Sequence, residues 1–207
     1  MIDRGPAREC DMIAAFLQAE ISSPRYSSVI QMNLDYYGLS RAHLIDCPDL
    51  GDELQNHIRR QLMKYRGYGT DSHLFEGFPP DADWRFIEIE PRDHHMIYCA
   101  NDTSEKSWVD MSESTRSIGR IAENISRMEK TGSAKEQETA ARVRSIQKDL
   151  RDGKPIAPLI AVAGDENGRL VLVEGHSRAT AYVNLKWQHN VSILLGRSAK
   201  LKEWRYY

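Results

Sequence analysis

The sequence predicts an α/β (α+β) protein with a small mixed sheet and helices, preceded by a helical N-terminal subdomain. Short apolar runs rich in β-branched residues recur in the second half of the chain, which is typical of strands. In the first half, apolar residues recur at helical spacing. A glycine turn leads from one of the apolar runs into a helical pattern. We therefore expect two parts, residues 1–80 and residues 81–207.

The composition is that of an ordinary globular protein. The chain has 207 residues, of which 41% are hydrophobic and 28% charged, enough for one good core. Its formal net charge of −2 gives no overall attraction to anionic membranes or to nucleic acid, so nucleic acid binding would need a local basic patch. The three cysteines form no CxxC motif, which favours a reduced, cytoplasmic setting. We find neither a signal-peptide pattern nor an apolar run of membrane-spanning length.

The first part of the chain is predicted to be mostly helical. Its apolar spacing predicts helices at residues 7–20, at residues 26–37 and from residues 48–52 onward to Tyr65. Gly67 and Gly69 supply the turn that closes the third helix. The loop at residues 74–80 carries two phenylalanines, which we expect to be packed down rather than exposed.

A basic cluster accompanies the third helix. It consists of Arg59, Arg60, Lys64 and Arg66. We favour its interpretation as a solvated helix face, because most charges on helix surfaces do nothing specific. The alternative is a basic surface for nucleic acid, built from this cluster or from the basic residues near the C-terminus, Arg197, Lys200, Lys202 and Arg205.

Residues 84–90 begin the sheet, because apolar and charged residues alternate there as in a half-buried strand. His94 and His95 do not suggest a metal site, since neighbours on a strand point to opposite faces. A second short strand is predicted at residues 96–100, followed by a polar loop at residues 101–106.

Two helices are predicted to follow the polar loop. The serine-rich segment at residues 112–116 precedes a helix that runs to about residue 130. Plain capping is the favoured role of this segment, and the alternative is a second phosphate-facing turn assisted by Arg116. A strongly charged helix is predicted at residues 135–150, with a solvated face.

The last third of the chain has the clearest order. Strands are predicted at residues 158–163, 170–173 and 191–195, with a hairpin turn at residues 164–168 and a helix to about residue 187. The tail at residues 196–207 carries Trp204, Tyr206 and Tyr207. These aromatic rings are expected to pack back on the domain or meet a partner, and stacking on a base is the alternative.

The turn from Glu174 to Arg178 is the best candidate for a functional site in the sequence. It brings Gly175, His176 and Ser177 to the start of a helix, where the first N–H groups have no intrahelical partner and favour an anion. Gly175 has no Cβ and lets the backbone come close to a ligand. Arg178 offers a bidentate fork to a phosphate. Glu174, a carboxylate beside an anion site, makes sense if a metal ion lies between carboxylate and phosphate. The alternative is a plain turn capped by Ser177.

The sequence Glu174-Gly175-His176-Ser177-Arg178, followed by Ala-Thr-Ala-Tyr, resembles the signature turn of the ParB/sulfiredoxin superfamily. It is most similar to the Asp-Gly-His-x-Arg turn of the ParB-like free serine kinases. The resemblance covers roughly residues 84–196, and only the turn is specific. The chain also resembles a bacterial family that shares an RGYG loop (66–69), an LFxGFP loop (74–79) and an LEGHxRxTAY turn, for which no activity carries over.

The superfamily resemblance implies a ParB/sulfiredoxin-like nucleotide-binding domain. The family uses this turn to hold nucleotide phosphates, so Gly175, His176, Ser177 and Arg178 would bind ATP or ADP, with CTP as a further candidate. Glu174 falls on the acidic position of the kinase-like members and would be catalytic and bind Mg²⁺.

Three departures from the family limit what carries over. Sulfiredoxin has its catalytic cysteine in the turn, where this chain has His176, so we do not expect sulfinic-acid repair. The double arginine of ParB is reduced to Ser177-Arg178, and residues 196–207 leave little room for DNA-reading helices. The second catalytic carboxylate of the kinases follows the first strand, where Glu90 or Asp93 would serve.

We therefore favour a nucleotide-dependent phosphotransferase that acts on a small polar metabolite. Phosphates would lie on residues 175–177 and Arg178 would neutralise the developing charge, while Glu90 or Asp93 would take the proton of the acceptor hydroxyl. The alternative is a non-enzymatic ParB-like protein that senses nucleotides or associates with DNA, or a ParB-like nuclease. The sequence names neither the phosphate acceptor nor the oligomeric state.

Overall fold

The computed structural model describes residues 1–102, 107–164 and 168–207. Their strands are β1 (Ile2–Ala7), β2 (Asp83–Ile89), β3 (Ile97–Cys99), β4 (Leu159–Ala163), β5 (Leu170–Glu174) and β6 (Val191–Arg197). Their α-helices are α1 (Glu9–Glu20), α2 (Ser27–Tyr36), α3 (Glu53–Leu62), α4 (Trp108–Met111), α5 (Ile118–Thr131), α6 (Ala134–Arg151) and α7 (His176–Asn184).

The strands form one mixed six-stranded sheet in the order β1-β2-β6-β4-β5-β3. The pairs β1–β2, β2–β6 and β4–β5 are antiparallel, whereas β4–β6 and β3–β5 are parallel. Strands β2, β3 and β5 therefore run in the same direction, so their carboxyl ends lie at the same end of the sheet. The predicted α/β fold class is confirmed.

Helices cover both faces of the sheet. Strand β4 (LIAVA) is buried throughout, and its residues divide between two hydrophobic clusters. Leu159 and Ala161 belong to the cluster that contains the apolar sides of α5, α6 and α7. Ile160 and Val162 belong to the cluster that contains the apolar sides of α1, α2 and α3. This alternation follows from the two-residue period of a strand, which sends successive side chains to opposite faces.

The strands predicted in the second half of the chain are confirmed with small shifts of their ends. The antiparallel pairing of β4 with β5 agrees with the predicted hairpin, although residues 165–167 of its turn lie outside the described residues. Residues 103–106 of the predicted polar loop also lie outside them. The short helix α4 lies between that loop and α5 and was not predicted.

The first part of the chain contains a strand that was not predicted. Residues 2–7 pair with β2 at the edge of the sheet, and the helix expected from residue 7 begins at Glu9. Gly5 and Pro6 break any alternation of apolar residues in this segment, so its sequence gives no strand signal. The division at residue 80 stays a prediction, but helices α1 to α3 share their core with the sheet.

The segments around residues 74–80 and 196–207 pack against each other. Phe75 is buried, as predicted for the loop. Trp204 is also buried, and its indole Nε1 donates to the carbonyl of Leu74 at 2.8 Å. The prediction that the tail packs back on the domain is therefore confirmed for Trp204.

The interpretation of the basic cluster as a solvated face is wrong for two of its members. Arg59 is 0% exposed, and its guanidinium donates to the carbonyls of Leu44 (3.2 Å) and Asp49 (2.8 Å). It thereby ties α3 to the segment that precedes it. Arg66 is also largely buried, with its side chain 17% exposed. Helical periodicity places charges on a face, but it cannot tell which face a neighbouring segment covers.

None of the helices in the described part of the chain is long and apolar enough to cross a bilayer.

Candidate functional site

The turn after strand β5 has the predicted strand, glycine and helix geometry. Glu174 ends β5, Gly175 is the N-cap residue, and α7 begins at His176. The N–H of Ala179 donates to the carbonyl of Gly175 at 2.8 Å, which leaves the earlier N–H groups of α7 without intrahelical partners. No described side chain caps this helix. Ser177 lies inside it, so the alternative that Ser177 is the cap is wrong.

Gly175 is required for a different reason from the one predicted. Its φ of 103° lies in the left-handed region, which residues with a Cβ rarely adopt. A Cβ on Gly175 would also lie 2.7 Å from Cδ2 of buried Leu159 and 3.1 Å from Nη2 of Arg178. The missing side chain therefore makes room for the protein's own core and for the arginine, in addition to giving the backbone its conformation.

Arg178 lies one helical turn into α7 and is only loosely paired. Its Nη2 is 3.4 Å from Oε1 of Glu174, and the side chain is 12% exposed. Its Nε is buried and has no hydrogen-bond partner among the described residues. A buried guanidinium donor without a partner is costly, and an anion bound at the turn would satisfy it.

His176 is held as a neutral ring. Its Nε2 accepts a hydrogen bond from the N–H of Ala100 at 3.4 Å, so the proton of the ring is on Nδ1. The indole of Trp108 stacks on the ring with 5.2 Å between centroids. Burial, together with the charges of Arg66 and Arg178, lowers the pKa of His176 to about 3. At neutral pH the ring can donate from Nδ1 to a ligand, but it carries no charge.

Two charged residues from the N-terminal helices lie beside the turn, and the sequence did not indicate them. Glu20 ends α1 and is 3% exposed. Nε of Arg66, just after α3, lies 3.4 Å from Oε1 of Glu20. That nitrogen is buried and makes no hydrogen bond in this geometry. The charge of Arg66 acts on His176, and the charge of Glu174 acts on Glu20, so the two groups lie within electrostatic reach of the turn.

Aromatic residues enclose the Glu20–Arg66 pair. The hydroxyl of Tyr65 donates to Oε2 of Glu20, and Nη1 of Arg66 donates to the hydroxyl of Tyr26. The guanidinium of Arg66 also lies over the ring of Tyr26, 4.4 Å from its centroid. These contacts shield the pair from water. Burial therefore raises the pKa of Glu20 to about 7, against the opposing charge of Arg66 and with a further increase from Glu174.

No local signal in the sequence connects Glu20 or Arg66 with the turn. Glu20 looks like the ordinary end of an amphipathic helix, and Arg66 looks like a member of a basic helix face. The signal that could have found Arg66 is its position in the RGYG loop, one of the three segments on which the predicted resemblance to a bacterial family rests.

Arg116 does not point freely toward the turn. Its Nε donates to the carbonyl of Cys99 at 3.1 Å, and its Nη1 donates to the main-chain oxygen of Tyr207 at 2.9 Å. Its φ of 62° is in the left-handed region. These contacts hold the end of β3 against the tail. A role of Arg116 in binding phosphate stays a prediction, and it would require the guanidinium to leave these oxygens.

Glu90 and Asp93 are not brought to the turn. They follow β2, and strands β6 and β4 lie between β2 and β5. Three strand spacings put the ends of β2 and β5 roughly 14 Å apart across the sheet. Asp93 instead accepts from the amino group of Met1 at 2.9 Å, and Glu90 pairs with Arg92 at 2.6 Å.

The described residues contain no group of three or more His, Cys, Asp or Glu side chains that could hold a metal ion. A cavity of about 230 Å³ lies between α6, the end of α7 and the start of β4, and its lining includes Tyr182 and Trp187. Residues 174–178 do not line it. The candidate site is therefore a cluster of largely buried charged groups at the end of β5, and this cavity is separate from it.

No protein-family model, curated protein or solved structure matches the chain. The resemblance of the turn to the ParB/sulfiredoxin superfamily therefore stays a prediction. The chemistry of the site therefore depends on its own groups. These are N–H groups at the start of α7 that lack intrahelical partners, two guanidiniums whose Nε makes no hydrogen bond with the described residues, a neutral histidine and two carboxylates.

Proposed function

We propose that the chain binds the phosphates of a nucleotide at residues 175–178 and transfers a phosphoryl group to a small polar metabolite. The observation that carries the proposal is the pair of guanidiniums, Arg66 and Arg178, that approach neutral His176 from two layers of the fold. Each has a buried Nε without a hydrogen-bond partner among the described residues. Both charges act on the same imidazole. A phosphate would satisfy both donors together with the N–H groups of α7.

The proposed binding mode gives each residue of the turn a task. The N–H groups of residues 176–178 donate to phosphate oxygens at the positive end of α7. Nδ1–H of His176 supplies a neutral donor. Arg178 neutralises charge that develops on the transferred group. No task is given to Glu90 or Asp93, because two strands separate them from the turn.

Mg²⁺ enters the proposal only as part of the nucleotide complex. Glu174 is the carboxylate of the turn, with its side chain 25% exposed, and it forms a long ion pair with Arg178. A single carboxylate is too few ligands for a resident Mg²⁺ site, but with phosphate oxygens and waters it is a normal arrangement. The metal would screen the phosphate charge and help to orient the transferred group.

The alternative of a DNA-associated protein has less support. Arg59 and Arg66 make internal contacts and are not available for a basic surface. Near the C-terminus, Lys200 pairs with Asp81 at 3.0 Å and Arg205 with Glu76 at 2.5 Å. These pairs neutralise part of the second predicted basic surface, so we do not propose nucleic acid as the ligand.

Nucleotide binding is tested by isothermal titration of ATP, ADP and CTP in the presence of Mg²⁺. We expect Arg178→Ala to weaken binding about 10- to 100-fold, because charge-assisted hydrogen bonds contribute about 1.5–3 kcal/mol. Arg92→Ala is the matched control, since Arg92 is an exposed arginine that pairs with Glu90. Absence of binding to wild type, or equal affinity in Arg178→Ala, would contradict the proposal.

Phosphoryl transfer is tested separately by ³¹P NMR with ATP and a panel of hydroxyl-bearing amino acids and nucleosides. The bond between phosphorus and the leaving oxygen of the nucleotide breaks, the acceptor oxygen forms the new bond, and the proton of the acceptor hydroxyl is released to water. We expect Glu174→Gln to retain nucleotide binding and to lose transfer. A variant that transfers at the wild-type rate would remove the role of Glu174.

A further inference from the structure

Glu20, the carboxylate that pairs with Arg66, has no role in the proposed function. The guanidinium of Arg66 has five N–H donors, but among the described residues its contacts with acceptors are the hydrogen bond to Tyr26 and the 3.4 Å contact with Glu20. Tyr26 and Phe16 cover its faces, with 4.4 Å and 5.9 Å to the ring centroids. A group so enclosed and so incompletely paired is prepared to accept a second anion.

We propose that phosphate binding at Arg66 makes Glu20 take up a proton. The inference rests on the proposed nucleotide binding. When a phosphate engages Arg66, Glu20 shares its counter-charge with an anion and remains buried. A buried carboxylate that loses its counter-charge is neutralised by protonation.

The neighbours of Glu20 support this direction of coupling. Arg66 and Arg25 favour its ionised form, and Glu174 opposes it across the turn. Tyr65 donates a hydrogen bond to Oε2 of Glu20, whereas Oε1 faces Nε of Arg66 at 3.4 Å without a hydrogen bond. Oε1 can therefore carry the proton when a phosphate engages Arg66. Tyr26, which accepts from Arg66, also senses the charges of Glu20 and Glu174. A phosphate brings at least one further negative charge into this group, and every such charge favours the protonated carboxyl.

The coupling has a defined dependence on pH. In the free protein burial raises the pKa of Glu20 to about 7, and binding raises it further. Below that value the proton is present in both states, so affinity does not depend on Glu20. Above it, affinity falls up to about tenfold per pH unit until the pKa of the bound state is reached, because binding must bring a proton with it.

The uptake of a proton on binding is measured by titrating ATP with Mg²⁺ into wild type at pH 8 in buffers of different ionisation enthalpy. The dependence of the observed heat on that enthalpy gives the number of protons taken up, which we expect to approach one. Glu20→Gln should bind the nucleotide with most of this uptake lost. Glu90→Gln is the matched control, because it changes a partly buried carboxylate that is not brought to the turn, and its uptake should equal that of wild type.

The outcomes separate the inference from the proposed function. Binding without proton uptake in wild type, or with equal uptake in Glu20→Gln, would overturn the inference and leave nucleotide binding intact. No binding to wild type would remove both. The wild-type measurement needs no variant, so it tests the proton uptake even if Glu20→Gln does not fold.

Arg66→Lys keeps the positive charge but removes the bidentate guanidinium, and we expect the nucleotide to bind about tenfold more weakly. Unchanged affinity would exclude Arg66 from the site.

Discussion

Two carboxylates, Glu20 and Asp93, lie near the ends of strands β5 and β2, and their surroundings shift their pKa values in opposite directions. Glu20 lies beside the turn after β5, where Tyr65 and Arg66 enclose it. Asp93 lies after β2, where it binds the amino group of Met1 near the surface. Burial raises the pKa of Glu20 to about 7. The hydrogen bond from Met1 lowers the pKa of Asp93.

The difference shows that the type of residue does not determine the chemistry at this end of the sheet. Both carboxylates have a cationic partner. At Glu20 the loss of water outweighs that partner, whereas Asp93 keeps enough solvent for its ion pair to dominate. A group whose pKa is near 7 changes charge under ordinary conditions, and such groups concentrate at functional sites. This contrast favours the turn after β5 as the site, and the predictions below test it.

The largest expected effect comes from Gly175→Ala at the turn. The alanine would have to adopt the left-handed conformation of Gly175, and its Cβ would lie 2.7 Å from Cδ2 of Leu159. Leu159 is fully buried, so its side chain has no space into which it could shift. We expect a loss of about 2–4 kcal/mol in the free energy of unfolding, measured by urea denaturation. Gly153→Ala is the control, because Gly153 has a φ of 70° but no atom within 4 Å of its added Cβ, so about 1 kcal/mol is expected. Equal losses would mean that packing at the turn is unimportant.

The next effect is the dependence of stability on pH that Glu20 produces. Its pKa in the folded state, about 7, is above the ordinary value of 4.5, so the folded state holds the proton more tightly than the unfolded state. Stability from this group is therefore complete below about pH 4.5 and is lost as the pH rises through 7, by about 3 kcal/mol in total. Glu20→Gln should gain that amount relative to wild type between pH 4 and pH 8 in urea unfolding. A constant difference across this range would show that Glu20 is not desolvated.

The smallest effect is expected from Asp93→Asn, and its sign is opposite. The pKa of Asp93 is lowered in the folded state, so its contribution is present above the ordinary pKa of 3.8 and is lost as the pH falls. Because the pair with Met1 is near the surface, the loss at pH 7 should not exceed about 1 kcal/mol. Thermal unfolding at pH 7 and pH 3 measures it. A loss of unfolding free energy as large as that of Gly175→Ala would show that the region after β2 is as sensitive as the turn after β5, which would contradict the comparison between them.

Much of the fold could be predicted from local patterns. Strands β4, β5 and β6 follow from apolar runs, and the turn at Gly175 follows from the glycine between a strand and a helix. Strand β1 could not be predicted, because its residues are a strand only through their hydrogen bonds to β2. The burial of Arg59 could not be predicted either, since it depends on how the segment that precedes α3 places the carbonyls of Leu44 and Asp49 against the helix.

The sequence by itself determined the half of the candidate site that is continuous along the chain. The spacing from Glu174 to Arg178 decides that a carboxylate, unpaired N–H groups and a guanidinium meet within one turn, because all of them belong to one strand end and one helix start. Only the tertiary structure decided the other half. Glu20 and Arg66 reach the turn because α1 and α3 pack on the same sheet, and the resulting loss of water gives Glu20 a pKa near 7. Desolvation depends on everything that surrounds a group, and no local stretch of sequence records it.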